Sequence, residues 1–76
     1  MTAADALRSY LGARAVVSEE SPDSAIADLD GVSYWLGRHP EAGTWCAVRR
    51  VQVVDGIGEG ETPDGALGAI LPTGAP

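Results

Sequence analysis

The stretch "AIADLDGVSYWLGRH", residues 25–39, carries the clearest local signal in the chain. Asp30-Gly31 stands between two β-prone runs. A two-residue type I′ turn demands such a pair, because both of its central residues need positive φ. The spacing predicts a hairpin. Ile26 and Leu29 fall in its first strand. Val32, Tyr34 and Leu36 alternate onto one face of the second, with Ser33 and Trp35 on the other. An antiparallel sheet therefore organises the chain.

Downstream, "HPEAG" (residues 39–43) reads as a turn and "TWCAVRRVQVV" (residues 44–54) as the longest strand. The alternation of that strand contains a fault. Cys46 and Val48 are even, whereas Val51 and Val53 are odd. An extra residue at Arg49-Arg50 brings both pairs onto one face, as a β-bulge does, and keeps both arginines out of the core. A regular strand with Trp45, Ala47, Val51 and Val53 inside, and Arg49 among them, is the alternative. The glycine-rich run "DGIGEGETPDGALGAI" (residues 55–70) follows. Asp55-Gly56 reads as a turn, Thr62 as an N-cap, and Pro63 and Asp64 as the first turn of a short helix. Ala66, Leu67, Ile70 and Leu71 form its apolar side.

Upstream, "AADALRSYLGA" (residues 3–13) predicts a helix capped by Thr2, with Asp5 in its first turn and Ala4, Leu7, Tyr10 and Leu11 on the apolar face. "RAVVSE" (residues 14–19) is a short strand that "ESPDS" breaks. The expected fold is α+β: a three- or four-stranded antiparallel sheet flanked by an N-terminal helix and a short C-terminal helix. It forms one domain over residues 1–71 with a frayed tail at 72–76.

Seventy-six residues make a small core, burying about 60% of the unfolded surface, and a homodimer would suit that size. Ala, Gly and Pro are abundant while Lys, Asn and Phe are absent, a usage that fits a GC-rich genome. The one cysteine, Cys46, excludes an internal disulfide and a cysteine-based zinc site within one chain. It points to the reducing cytoplasm. Asp5 and Arg8 interrupt any signal-peptide core, and no apolar run has transmembrane length, so no membrane association is expected.

Five arginines are outnumbered by eleven acids, for a net charge of −6. That balance opposes direct nucleic-acid binding and favours basic protein surfaces as partners. Nine of the acids lie in two segments without a basic residue: Glu19, Glu20, Asp23, Asp28 and Asp30 in one, Asp55, Glu59, Glu61 and Asp64 in the other. Carboxylates two apart on a strand are separated by about 6.6 Å, of the same order as neighbouring phosphates. A surface that imitates nucleic-acid charge follows as the functional expectation. Ordinary solubility charge is the plainer alternative. Partner binding is assigned to these acids other than Asp55, together with Trp35, an aromatic on the sheet.

The glycine run is not a phosphate loop: no Lys-Ser/Thr follows it, and Glu59 and Glu61 would repel a phosphate. His39 alone builds no metal site, and no cofactor is expected. Cys46 and His39 could meet as nucleophile and base, but Cys46 in an apolar strand reads as a small hydrophobe. Trp35 and Trp45 flank the "GRHPEAGT" connection and are expected to pair across the hairpin.

"GEGETPDGAL" resembles the strand-turn-helix corner of HicB-type antitoxins. Thr62, Ala66 and Leu67 match that pattern, while Gly65 stands where the family has glutamate. The resemblance implies a similar corner, and an antitoxin-like or regulatory module is the alternative function. In size, charge and style the whole chain is similar to phage-encoded anti-CRISPR inhibitors. That resemblance implies a non-enzymatic protein that blocks target-DNA binding by a type I CRISPR (Cascade) complex.

Overall fold

The computed structural model describes residues 2–70. Its elements are α1 (Ala3–Leu11), β1 (Val16–Ser21), β2 (Ser24–Leu29), β3 (Val32–Arg38), β4 (Trp45–Arg50), β5 (Val54–Gly60) and α2 (Pro63–Ile70). The strands form one five-stranded sheet in the order β1-β2-β3-β4-β5, every neighbouring pair antiparallel. Leu71 and the tail expected at 72–76 lie outside the described residues. The α+β class holds, but the sheet has five strands rather than three or four.

The extra strand corrects the reading of residues 44–60. The strand beginning at Trp45 stops at Arg50, the chain bends through Val51–Val53, and the glycine run returns beside β4 as β5. Val51 and Val53 are exposed in that bend, on neither face of a strand. Valines favour strands and glycines disfavour them, so propensity placed strand and turn the wrong way round. The bend itself contains no Gly, Pro, Asn or Asp.

The hairpin of β2 and β3 is as its sequence predicts. Asp30 (φ 53°) and Gly31 (φ 83°) make the turn, closed by the Leu29–Val32 pair. Thr2 and Asp5 form a capping box: the Thr2 hydroxyl accepts from the Asp5 N–H, and the Asp5 carboxylate accepts from the Thr2 N–H. Gly12 (φ 89°) ends α1. Thr62 caps α2 by accepting from the Gly65 N–H at 3.0 Å.

Both helices cover one face of the sheet. α1 lies against β1, β2 and β3, and α2 against β5, β4 and β3. The register explains how they fit. One row across the inner face reads Glu19, Ala25, Leu36, Ala47, Gly58; the next reads Val17, Ala27, Tyr34, Arg49, Gly56. Bulk sits on the central strand, and small residues flank it. The helices settle over Ala25, Ala27, Ala47 and the β5 glycines, while Leu36 and Tyr34 rise between them. Among the described residues, seven of the thirteen buried apolar ones are alanines, so the core depends on close approach more than on side-chain volume. The Tyr10 hydroxyl, on an otherwise exposed ring, donates to the Asp64 carbonyl at 2.9 Å and ties α1 to α2.

The irregularity near Arg49-Arg50 is real but sits on the other strand. Arg49 pairs with Gly56 and Arg50 with Val54, leaving Asp55 as the additional residue of β5. Arg49 is therefore on the helix-covered face, half-buried, with Nε donating to Asp55 Oδ1 at 3.0 Å and a terminal nitrogen donating to Oδ2 at 3.1 Å. This two-pronged hydrogen bonding holds the Asp55 carboxyl below its ordinary range. A depressed native pKa contributes stability above the unfolded value of about 3.9 and loses it as pH falls through the lower native value. Asp55→Asn is expected to lower the urea midpoint at pH 7 and to converge with the wild type near pH 2, which denaturation curves across that range will check.

Candidate functional site

The second face of the sheet carries no helix. Its central row runs Ser18, Ile26, Trp35, Val48, Ile57, one residue from each strand. Ile57 is 65% exposed and Ile26 37%. On one side of this row the register sets Val16, Asp28, Ser33, Arg50 and Val54, and on the other Ser24, Gly37, Cys46 and Glu59. The alternation that hides Tyr34 and Leu36 under the helices turns these residues outward.

Trp35 lies at the centre. Its ring extends along β3 over Gly37, where a Cβ would strike the far edge of the indole. Gly37 is thus the residue that lets the ring lie flat. Ile26, Ser33, Trp35, Val48, Arg50 and Val54 line a shallow concavity of about 390 Å³ beside it. Trp45 pairs with Arg38 rather than with Trp35, and it points to the opposite face, where it is buried. The expected tryptophan pair does not form, because an odd offset between the two residues' cross-strand partners puts them on opposite sides of the sheet.

The acids divide into two kinds. Asp5, Asp23, Asp30 and Asp55 hold ion pairs with Arg8, Arg38, Arg14 and Arg49, respectively. Glu19, Glu20, Asp28, Glu41, Glu59, Glu61 and Asp64 have no such pair among the described residues, and all seven are exposed. Glu20 accepts from the Ser24 hydroxyl at 2.9 Å, and Asp28 from the Ser33 hydroxyl at 2.7 Å. The two acidic segments sit at opposite sides of the sheet, one on β1, β2 and their turns, the other on β5 and the start of α2. Four inter-strand steps separate β1 from β5, about 19 Å. The structure does not join them in one row, and Trp35 stands between them.

Arg50 is exposed and the one arginine without an ion pair among the described residues. The basic doublet Arg49-Arg50 reads in sequence as neutralising nearby acids, which Arg49 does with Asp55 and Arg50 does not among the described residues. Sequence reasoning gave no binding role to Ile26, Val48 or Ile57, whose common signal was parity: each is an apolar residue out of phase with its strand's inner-face residues.

Cys46 and His39 are not assembled for chemistry. His39 is in the exposed turn after β3, its Nδ1 accepting from the Ala42 N–H at 3.3 Å. Burial, with the neighbouring Glu59 carboxylate, pushes the Cys46 thiol upward, the opposite of an activated thiolate. Among the described residues no three His, Cys, Asp or Glu side chains gather as for a metal ion, and no helix is long and apolar enough to cross a membrane. In comparison with known proteins, no family model matches this chain, and no curated protein or solved structure matches it.

Proposed function

We propose that the chain is a non-enzymatic, acidic protein-binding inhibitor that occupies a basic, nucleic-acid-binding surface of another protein. A type I CRISPR surveillance complex is the named case. The observation that supports this reading is the unequal pairing of charge. Four of five arginines have a carboxylate of the same chain within ion-pair distance, whereas seven exposed carboxylates have no arginine partner among the described residues. A protein so arranged presents more acid than base, which complements a Lys/Arg-lined channel and speeds encounter with it. The acids of the sheet edges and of the β5–α2 corner bear this role. Trp35 sits apart, on a nearly neutral face.

The test is target-DNA binding by a purified type I complex with and without this protein. Inhibition that weakens as salt is raised is the expected result. Reversing Glu61 and Asp64 to Arg, or Glu19 and Glu20 to Arg, is expected to raise the half-inhibitory concentration about tenfold for the edge that makes contact and to leave the other edge silent. Undiminished DNA binding at saturating protein would remove the named partner.

A further inference from the structure

We propose that the open sheet face is the interface of a homodimer, a second copy of this chain covering the row Ile26, Trp35, Val48, Ile57. Asp28 and Glu59 belong to the unpaired acids cited for the inhibitory role, and self-association, read apart from DNA binding, distinguishes the two proposals.

Charge argues for a second copy as the occupant. The chain carries −6, yet the rows of this face hold only Asp28, Arg50 and Glu59 as charged residues, with Glu20 reaching its margin through the Ser24 hydroxyl. A strongly basic partner would find little acid there, whereas a second copy would find a complement. Arg50 lies two residues from Val48 along β4, and Glu59 lies two residues from Ile57 in the opposite direction across the sheet. Let a two-fold axis run along the central row between two sheets stacked about 10 Å apart. Each residue beyond the row then faces one on the near side of the same strand in the other copy. Arg50 comes opposite Cys46, with Glu59 one strand over, about 4.8 Å to the side. Symmetry makes the contact twice, as an isologous interface requires. Asp28 comes opposite Ser24, whose hydroxyl donates to Glu20, so this corner of the interface is acidic in both copies.

Both unpaired partners are accounted for by this arrangement: the arginine that lacks an ion pair, and the Glu59 carboxylate beside the Cys46 thiol. The exposed Ile57, Ile26 and Val54 would lose water together with Trp35. The face measures about 19 Å across five strands and about 20 Å along them, roughly 400 Å² in projection per copy. That is about half the usual size of a specific interface per partner, so a weak, reversible dimer is expected.

Sedimentation equilibrium of the full chain from about 1 to 500 µM tests the proposal. A concentration-dependent monomer–dimer equilibrium is expected. Ile57→Glu should abolish the dimer. Arg50→Glu and Glu59→Arg should each weaken it about tenfold or more, and the double exchange should return it to within about threefold of the wild type. Circular dichroism confirms that each variant is folded. A chain that stays monomeric at 500 µM overturns the proposal, as does a dimer that the double exchange fails to restore. Neither result touches the inhibitory role, which is read from DNA binding by variants of Glu19, Glu20, Glu61 and Asp64.

Discussion

Gly58→Val is expected to remove a large part of the protein's stability, about 3 kcal/mol or more. The inner face of β5 is made of Gly56, Gly58 and Gly60, and α2 rests directly on it. A Cβ at Gly58 would collide with the Ala66 carbonyl oxygen and stand 2.7 Å from the Ala69 Cβ. These are helix atoms that no rotamer change moves aside. The helix must lift, and it carries the buried Ala66, Leu67 and Ile70 with it. Overpacking against backbone costs about 3 kcal/mol or more. A chain of this length has a total stability of about 4–11 kcal/mol. Gly56→Ala is the matched control: its Cβ would lie 3.6 Å from the Arg49 and Ile70 Cβ atoms, an ordinary contact, and the change should stay within about 1 kcal/mol of the wild type. Urea denaturation followed by far-ultraviolet circular dichroism measures both. Equal stability of Gly58→Val and wild type would mean that α2 does not rest on β5.

Leu36→Ala should cost about 3–5 kcal/mol, among the largest losses any truncation of this core can give. Leu36 is fully buried on the central strand, and its cross-strand neighbours on that face are Ala25 and Ala47. Neither alanine can fill the space it leaves, and α2 already rests on the β5 backbone. The cavity therefore persists, and its cost adds to the lost transfer energy. Val53→Ala, in the exposed bend, is expected to change stability by less than about 0.5 kcal/mol. The same denaturation experiment separates the two. A Leu36→Ala loss no larger than that of Val53→Ala would show that the helices close over the gap.

The glycine run shows where propensity was a poor guide. In isolation "GIGEG" has no side chain at three of its five positions, and its glycines have no preference for extended backbone. It becomes a strand because β4 offers an unpaired edge on one side and because α2 needs a surface without Cβ atoms above it. The three glycines at alternate positions were legible as a pattern, but their meaning depended on which helix lay over them. The alanines are similar. Composition alone fits a GC-rich genome, whereas in the fold Ala25, Ala27 and Ala47 set the depth at which the helices sit. The candidate surfaces were partly legible. The uncompensated acids and Trp35 stood out in the sequence, but the ion pairs that remove Asp23 and Asp30 from the free set join residues about fifteen apart, which only folding brings together.

By itself the sequence determined the local events: the Asp30-Gly31 turn, the Thr2 and Thr62 caps, the start of each helix, and the alternation that sends Tyr34 and Leu36 one way and Trp35 the other. These rest on φ preference, on capping hydrogen bonds and on a side-chain period of two, all of which act within a few residues. The tertiary structure alone decided the fifth strand, the opposite faces of Trp35 and Trp45, the distance between the two acidic edges, and the isolation of Arg50 on an apolar face. Those depend on which strand pairs with which and in what register, and pairing is settled by burial across the whole sheet rather than by any one segment's preference.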